Sequence, residues 1–232
     1  MKKLWVIGDS FSLGESLPEP GKIWPDIVSE ALNYKLVNVA VGGVDNDHIL
    51  SSMINVLPKV KKDDFVIIGL TNPLRYEIFD WNINRSMHII PGSDFVQNGL
   101  STHNGKHSPT YLGYTMFEQK GVLGPINRYK SKKNRETTLK YISLVRAEAL
   151  DYLEERDWET AINFQKELSL RGVKSFLWSW HKDFYEKIKQ DRCFHYDRID
   201  DGHYSLKGHR SFAERALKQI NNGVTAWENI YE

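Results

Sequence analysis

The sequence predicts an α/β protein, a three-layer α/β/α sandwich around a central parallel sheet of four to five strands, with a long insert after the third strand. Three observations lead there. Short apolar runs at residues 4–7, 35–41, 65–70 and 173–180 read as strands, and the first lacks period-two alternation, as strands buried on both faces do. Stretches with helical spacing of apolar residues separate these runs, and parallel strands require such crossovers. The first three runs break at Gly-Asp-Ser, Gly-Gly and Thr-Asn-Pro, which are turn-forming residues at the carboxyl ends of the strands. Ligands of open α/β sheets bind at those ends.

Composition narrows the class. The 232 residues, 41% hydrophobic and 12% aromatic, suffice for one domain with a substantial core. Thirty-one basic against 30 acidic side chains leave a net charge of +1, so no overall field favours nucleic acid or an anionic membrane. The basic stretch Lys130-Ser131-Lys132-Lys133-Asn134-Arg135 reads as a solvated loop. A single cysteine, Cys193, excludes an internal disulfide and a thiolate-rich zinc site. No window approaches the roughly 18 apolar residues of a membrane span, and the run after Lys2 and Lys3 is too short for the core of a signal peptide. The expectation is a soluble protein, cytoplasmic or carried outside by a virion or by lysis.

The elements follow in order. Residues 4–7 form the first strand, and Gly8 permits a sharp bend into Asp9-Ser10-Phe11-Ser12. Either Asp9 or Ser10 caps a helical turn there, or Ser10 presents its hydroxyl beside unpaired backbone N–H groups that favour developing negative charge. Pro25 suits the first turn of a helix over 23–32, where Trp24, Ile27, Val28, Ala31 and Leu32 share a face. A strand over 35–41 ends at Gly42-Gly43, and a helix over 45–57, capped by Asp45, places Ile49, Met53, Ile54 and Leu57 together. The third strand, 65–70, runs into Thr71-Asn72-Pro73.

Residues 73–135 are weakly periodic and rich in Gly, Pro, Asn, His and aromatic side chains, so an insert or lid is expected there rather than a plain connection. A dimerisation arm is the alternative. Helical spacing resumes over 136–171, broken near Asp157, which would cap a second helix, and Gly172 ends it. A fourth strand covers 173–180. Residues 191–199 hold a short fifth strand or a loop. A last helix then turns Phe212, Ala213, Ala216, Leu217 and Ile220 inward.

A serine nucleophile needs a base within hydrogen-bond reach, and the base needs an acceptor to orient it. Ser10 is the candidate nucleophile, His203 the base, and Asp200 the orienting carboxylate three residues before it. At these residues the chain resembles the GDSL, or SGNH, hydrolase family of serine esterases and lipases. Gly8-Asp9-Ser10-Phe11-Ser12 is similar to its first block, and Asn38-Val39-Ala40-Val41-Gly42-Gly43 to its second. Asn72 stands where the third block has its asparagine. Asp200-Asp201-Gly202-His203, followed by Ser205 and Gly208-His209, resembles the last block. The resemblance spans roughly 1–75 and 172–220 and leaves the middle uncovered.

It implies an SGNH, flavodoxin-like sandwich and acyl transfer without a cofactor or metal, with Ser10, Asp200 and His203 as the triad. It also implies an oxyanion hole of the Ser10 N–H, the Gly43 N–H and the Asn72 amide. One position departs from the pattern: Leu70 lies two residues before Asn72, where the family has glycine, and Gly69 precedes it. Asn72 is therefore either an oxyanion donor or an amide fixing the turn before Pro73. Asp201 is the alternative orienter, and His209 is expected to pack at the start of the last helix. Asp9, Arg75, Tyr76, Trp81 and His181 are candidate substrate contacts, with a surface role for Arg75 and Tyr76 as the alternative. Among the tryptophans, Trp5, Trp24, Trp178 and Trp180 lie in core-type elements, which leaves Trp81 to meet a ligand.

The expected partner is a small-molecule or carbohydrate acyl ester; the aromatic, polar insert favours sugars over a fatty chain. A lipid ester or thioester hydrolase, an acyltransferase, and a catalytically silent binding module are the alternatives. The sequence carries no Gly-x-x-x-x-Gly-Lys loop, His-Glu-x-x-His helix or Gly-x-Ser-x-Gly elbow.

Overall fold

The computed structural model describes residues 1–14, 17, 21–73, 75–80, 85–91, 114–118, 149–179, 203–223 and 225. In chain order its elements are β1 (Lys3–Ile7), α1 (Ser10–Leu13), α2 (Trp24–Ala31), β2 (Lys35–Asn38), α3 (Asn46–Val56), β3 (Phe65–Leu70), β4 (Tyr76–Asp80), β5 (Arg85–Pro91), β6 (Tyr114–Glu118), α4 (Leu150–Leu170), β7 (Lys174–Ser179) and α5 (Leu206–Asn221). The chain divides into two compact units, one of Met1–Gly42, Asn46–Asn72 and Arg156–Glu232, the other of Gly43–Asp45 and Pro73–Glu155.

The first unit is the expected α/β layer structure. Four parallel strands lie in the order β2-β1-β3-β7, with Leu4 opposite both Leu36 and Phe65, and Ile67 opposite Phe176. Both faces are covered, which is why β1 is apolar from Leu4 to Ile7 and β3 along its whole length. Leu4, Val6, Phe65, Ile67, Phe176 and Trp178 form one core with Trp24 and Val28 of α2 and Phe212, Ala213 and Ala216 of α5. The alternate residues Trp5, Ile7, Val66, Ile68 and Leu177 are equally buried. Toward them α3 packs on β1, and Gln165 of α4 donates to the Ser175 hydroxyl at 3.1 Å.

The order carries a positional consequence. The chain leaves β1 for β2 on one side, then returns past β1 to place β3 on the other. The direction of winding therefore reverses between β1 and β3, and a crevice opens outside their carboxyl ends at such a switch point. Ser10 follows β1, and Thr71 and Asn72 follow β3.

Several boundaries differ from expectation. β2 ends at Asn38 rather than 41, because the Asn38 side chain bends back to accept the Ala40 N–H at 3.1 Å and donates to the Ser12 carbonyl at 2.8 Å. Val39 and Val41 still donate to the carbonyls of Val6 in the neighbouring strand β1 and of Gly8 just after it. The break expected near Asp157 is absent: α4 runs unbroken through it, and its carboxylate caps nothing. Gly172 does close α4 in the left-handed region (φ 71), with the Val173 N–H returning to the Leu168 carbonyl. After α5 the Thr225 carbonyl accepts the Leu177 N–H of β7 at 2.9 Å. The possible fifth strand at 191–199, the helical stretch at 136–148 and the basic stretch at 130–135 lie outside the described residues.

In the second unit, β4, β5 and β6 form an antiparallel sheet, with Tyr76 opposite Ile89 and Met87 opposite Glu118. The insert after β3 thus holds regular strands. Arg75 is buried and donates to the Val44 carbonyl at 3.2 Å, which corrects the surface alternative for this residue.

Candidate active site

The turn after β1 is built by glycine and aspartate. A Cβ on Gly8 would lie 2.5 Å from Ser12 Oγ and 3.5 Å from the Gly69 carbonyl, so any larger residue there displaces the Ser12 hydroxyl. Asp9, extended at φ −106° and ψ −157°, caps α1 by accepting the Phe11 N–H at 3.1 Å. Its other oxygen accepts the Thr71 hydroxyl at 2.8 Å. Capping thus falls to Asp9, and the buried Ser10 hydroxyl takes no hydrogen-bond partner among the described residues. Because α1 is a single turn, closed by Gly14 at φ 73°, it carries no appreciable macrodipole; what it offers Ser10 is an individual backbone N–H.

A polar cluster organises the turn after β3. Asn46 accepts the Thr71 N–H at 2.8 Å and donates to the Thr71 carbonyl at 3.1 Å. The same Asn46 amide nitrogen donates to Asp157 at 2.7 Å. Asp157 is fully buried in α4, and its second oxygen takes two bonds from Arg156, which also pairs with Asp47. Burial pushes the Asp157 carboxyl above its ordinary value, against the lowering effects of Arg156 and the Asn46 bond, while Asp47 adds to the rise.

The far end of the chain comes to the Ser10 turn. The His203 ring lies 5.2 Å from the Phe11 ring, centroid to centroid, and Tyr204 meets Phe11 edge-on at 5.0 Å. Tyr204 is fully buried and anchors this segment against Phe212 and His209, and Ser205 begins α5 by accepting the Gly208 N–H. Trp24 completes the junction: its indole donates to the Phe11 carbonyl at 2.9 Å, and its backbone N–H donates to His209 Nδ1 at 3.4 Å. Burial, and then the neighbouring His203, lower the His209 pKa to about 4, so this imidazole packs as a neutral acceptor.

Among the sequence-predicted site residues, Ser10, Asp9 and His203 thus gather around Phe11, and Asn72 directly follows the Thr71 that Asp9 holds. Gly43 has the left-handed conformation (φ 73) expected of a backbone placed for a turn and lies in the other compact unit. Asp200, Asp201, Trp81 and His181 lie outside the described residues, as do Cys193 and Trp180. Tyr76 begins β4. A Cβ on Gly69 would come within 2.9 Å of the Trp178 indole, so the glycine before Leu70 makes room for that ring. Sequence reasoning missed Asn46 and Asp157. Asn46 resembles a cap beside Asp45, and Asp157 resembles a helix break; only their meeting, 111 residues apart, gives them a role.

No protein-family model and no curated protein matches the chain. Solved structures similar to it include a member of the lipolytic protein G-D-S-L family from Veillonella parvula, at 12% identity and a TM-score of 0.37, covering 95% of this chain and 99% of that one. A lipase/acylhydrolase from Enterococcus faecalis matches at 12% identity and a TM-score of 0.37, covering 96% of this chain and 97% of its own. Among the described residues no helix is long and apolar enough to cross a membrane.

Proposed function

We propose that the protein is a serine ester hydrolase acting on a small acyl ester, with O-acetylated carbohydrate as the favoured substrate class. One observation carries the reading. A histidine 193 positions after Ser10 packs on the residue next to it, at the switch point of the sheet, and Asp9 does the capping that Ser10 would otherwise do.

In this reading Ser10 Oγ attacks the ester carbonyl carbon while His203 takes its proton, and Asp200 orients the ring and stabilises the imidazolium. The negative oxygen of the tetrahedral intermediate accepts from the Ser10 N–H and the Asn72 amide, each donor worth about 3 kcal/mol of barrier. The carbon–oxygen bond to the alcohol breaks, and His203 returns the proton to the leaving alkoxide. Water then attacks the acyl-serine with His203 again as base, releasing the acid and regenerating Ser10. No hydrogen bond joins Ser10 and His203 in this structure; such bonds commonly tighten only when substrate is bound.

A fluorophosphonate probe tests this. Labelling should occur at Ser10 and disappear in Ser10→Ala and His203→Ala, and an ester panel from p-nitrophenyl acetate to acetyl-xylan and longer acyl chains should be hydrolysed best at acetyl. A folded protein that never labels is instead a binding module on the same fold.

A further inference from the structure

The first compact unit contains a buried polar chain that the acyl-transfer steps leave unused. It starts at Asp157, whose carboxylate takes Arg156 on one oxygen and the Asn46 amide on the other. Because a carboxylate only accepts, the Asn46 nitrogen must face Asp157 and its oxygen must face the Thr71 N–H. Asn46 then holds both backbone polar groups of Thr71, as a neighbouring strand would, where β3 has just ended. The Thr71 hydroxyl continues the chain to Asp9, and Asp9 to the Ser10 turn.

Burying a carboxylate and an amide is a poor way to gain stability alone, since apolar side chains of similar volume do as well or better. A fully satisfied polar network does something apolar packing does less well, which is to hold one geometry. The loop so held carries Asn72.

We propose that Asn46, oriented by Asp157, is the positioning residue that fixes the loop of Thr71 and Asn72 against the Ser10 turn and so sets the Asn72 amide where the oxyanion forms. This inference rests on the esterase reading.

A double-mutant cycle tests it with the full chain. Wild type, Asn46→Ala, Asn72→Ala and the double variant are assayed on p-nitrophenyl acetate, with active sites counted by fluorophosphonate labelling and folding followed by circular dichroism. Asn46→Ala should lower kcat by about tenfold or more and leave KM within about threefold, because a displaced oxyanion donor is felt in the transition state. In the Asn72→Ala background the same change should cost less than about threefold, because its route of action is already gone.

A merely structural residue would cost the same in both backgrounds, and that additivity would overturn the inference. So would an Asn72→Ala variant with undiminished kcat, while leaving the esterase reading intact. Should Asn46→Ala not fold, Asp157→Asn, which keeps Asn46 and loosens it, takes its place with the same expected non-additivity; if neither folds, the cluster is structural and the inference fails. A wild-type chain that neither labels nor turns over removes the esterase reading and this inference together.

Discussion

Replacing His209 by leucine should flatten the pH dependence of stability between about pH 7 and pH 5. His209 Nδ1 accepts the Trp24 N–H, so the ring is held neutral, and charging it would set one donor against another. Its pKa is about 4 in the folded chain against 6.5 for an ordinary histidine. The unfolded chain therefore binds a proton that the folded chain refuses. The stability involved is fully present above the unfolded value and is lost as pH falls toward the folded one. The whole difference amounts to about 3 kcal/mol at about 1.4 kcal/mol per pH unit, of which about 2 kcal/mol is lost between about pH 7 and pH 5.

Urea denaturation of both proteins across that range measures it. The leucine variant begins lower, since the Trp24 N–H loses its acceptor at a cost of about 1–3 kcal/mol. Its decline toward acid should then be shallower than that of wild type by about 2 kcal/mol. Asp157 works in the opposite sense, because its raised pKa lets the folded state hold a proton that the unfolded state has released. That contribution is lost as pH rises through the folded value, and it cancels between the two proteins. Parallel curves would refute the reasoning and mean that His209 is charged, or free to charge, in the folded protein.

Other perturbations separate the site from its scaffold. Gly8→Ala forces a methyl onto Ser12 Oγ, so labelling of Ser10 should fall at least about tenfold, and the added change Ser12→Ala should restore part of it; equal labelling of both variants would place the strain elsewhere. Asp64 accepts from the Lys3 N–H, the Lys61 N–H and the Trp5 indole at the amino ends of β1 and β3. Asp64→Asn should cost about 1–3 kcal/mol in urea denaturation while kcat per labelled site stays unchanged, and a fall in kcat would show that this end of the sheet reaches the site.

The layer structure was legible because each buried strand carries its own signal. The apolar runs of β1 and β3 can be read locally, and Pro25 and Gly172 mark helix ends through backbone geometry that belongs to those residues alone. Ser10 and His203 were legible as residue types in an order, and their convergence on Phe11 follows from where β1 and α5 must lie in a doubly wound sheet. Asn46 and Asp157 were not legible. Each has a commoner local use, as cap or helix break, and their actual use is a contact between α3 and α4 that no spacing announces. The Asn38 side chain likewise ends β2 early through a bond to Ser12 that only the fold creates. Between the two alternatives for Arg75, the fold removes the surface one by burying it, with a bond to the Val44 carbonyl that no sequence pattern announces.

The distribution of unmet polar groups points the same way as the proposed pairing of Ser10 with His203. At the amino ends of the strands, Asp64 satisfies three donors and is fully engaged. Ser12 Oγ beside Gly8, and Trp178 Nε1 of β7 beside Gly69 of β3, are buried with no hydrogen-bond partner among the described residues. An unsatisfied buried group costs about 1–3 kcal/mol, so neither is explained by stability. Asp9, Thr71, Asn46 and Asp157 are meanwhile bonded to one another around the Ser10 turn, and the hydroxyls of Ser10 and Ser12 take no partner among the described residues. A sheet optimised only for folding would have reversed this pattern, with alanine or valine at 12 and serine used as the cap. Where local rules are broken beside a side chain kept unengaged, the forfeited stability marks the place where the fold serves chemistry.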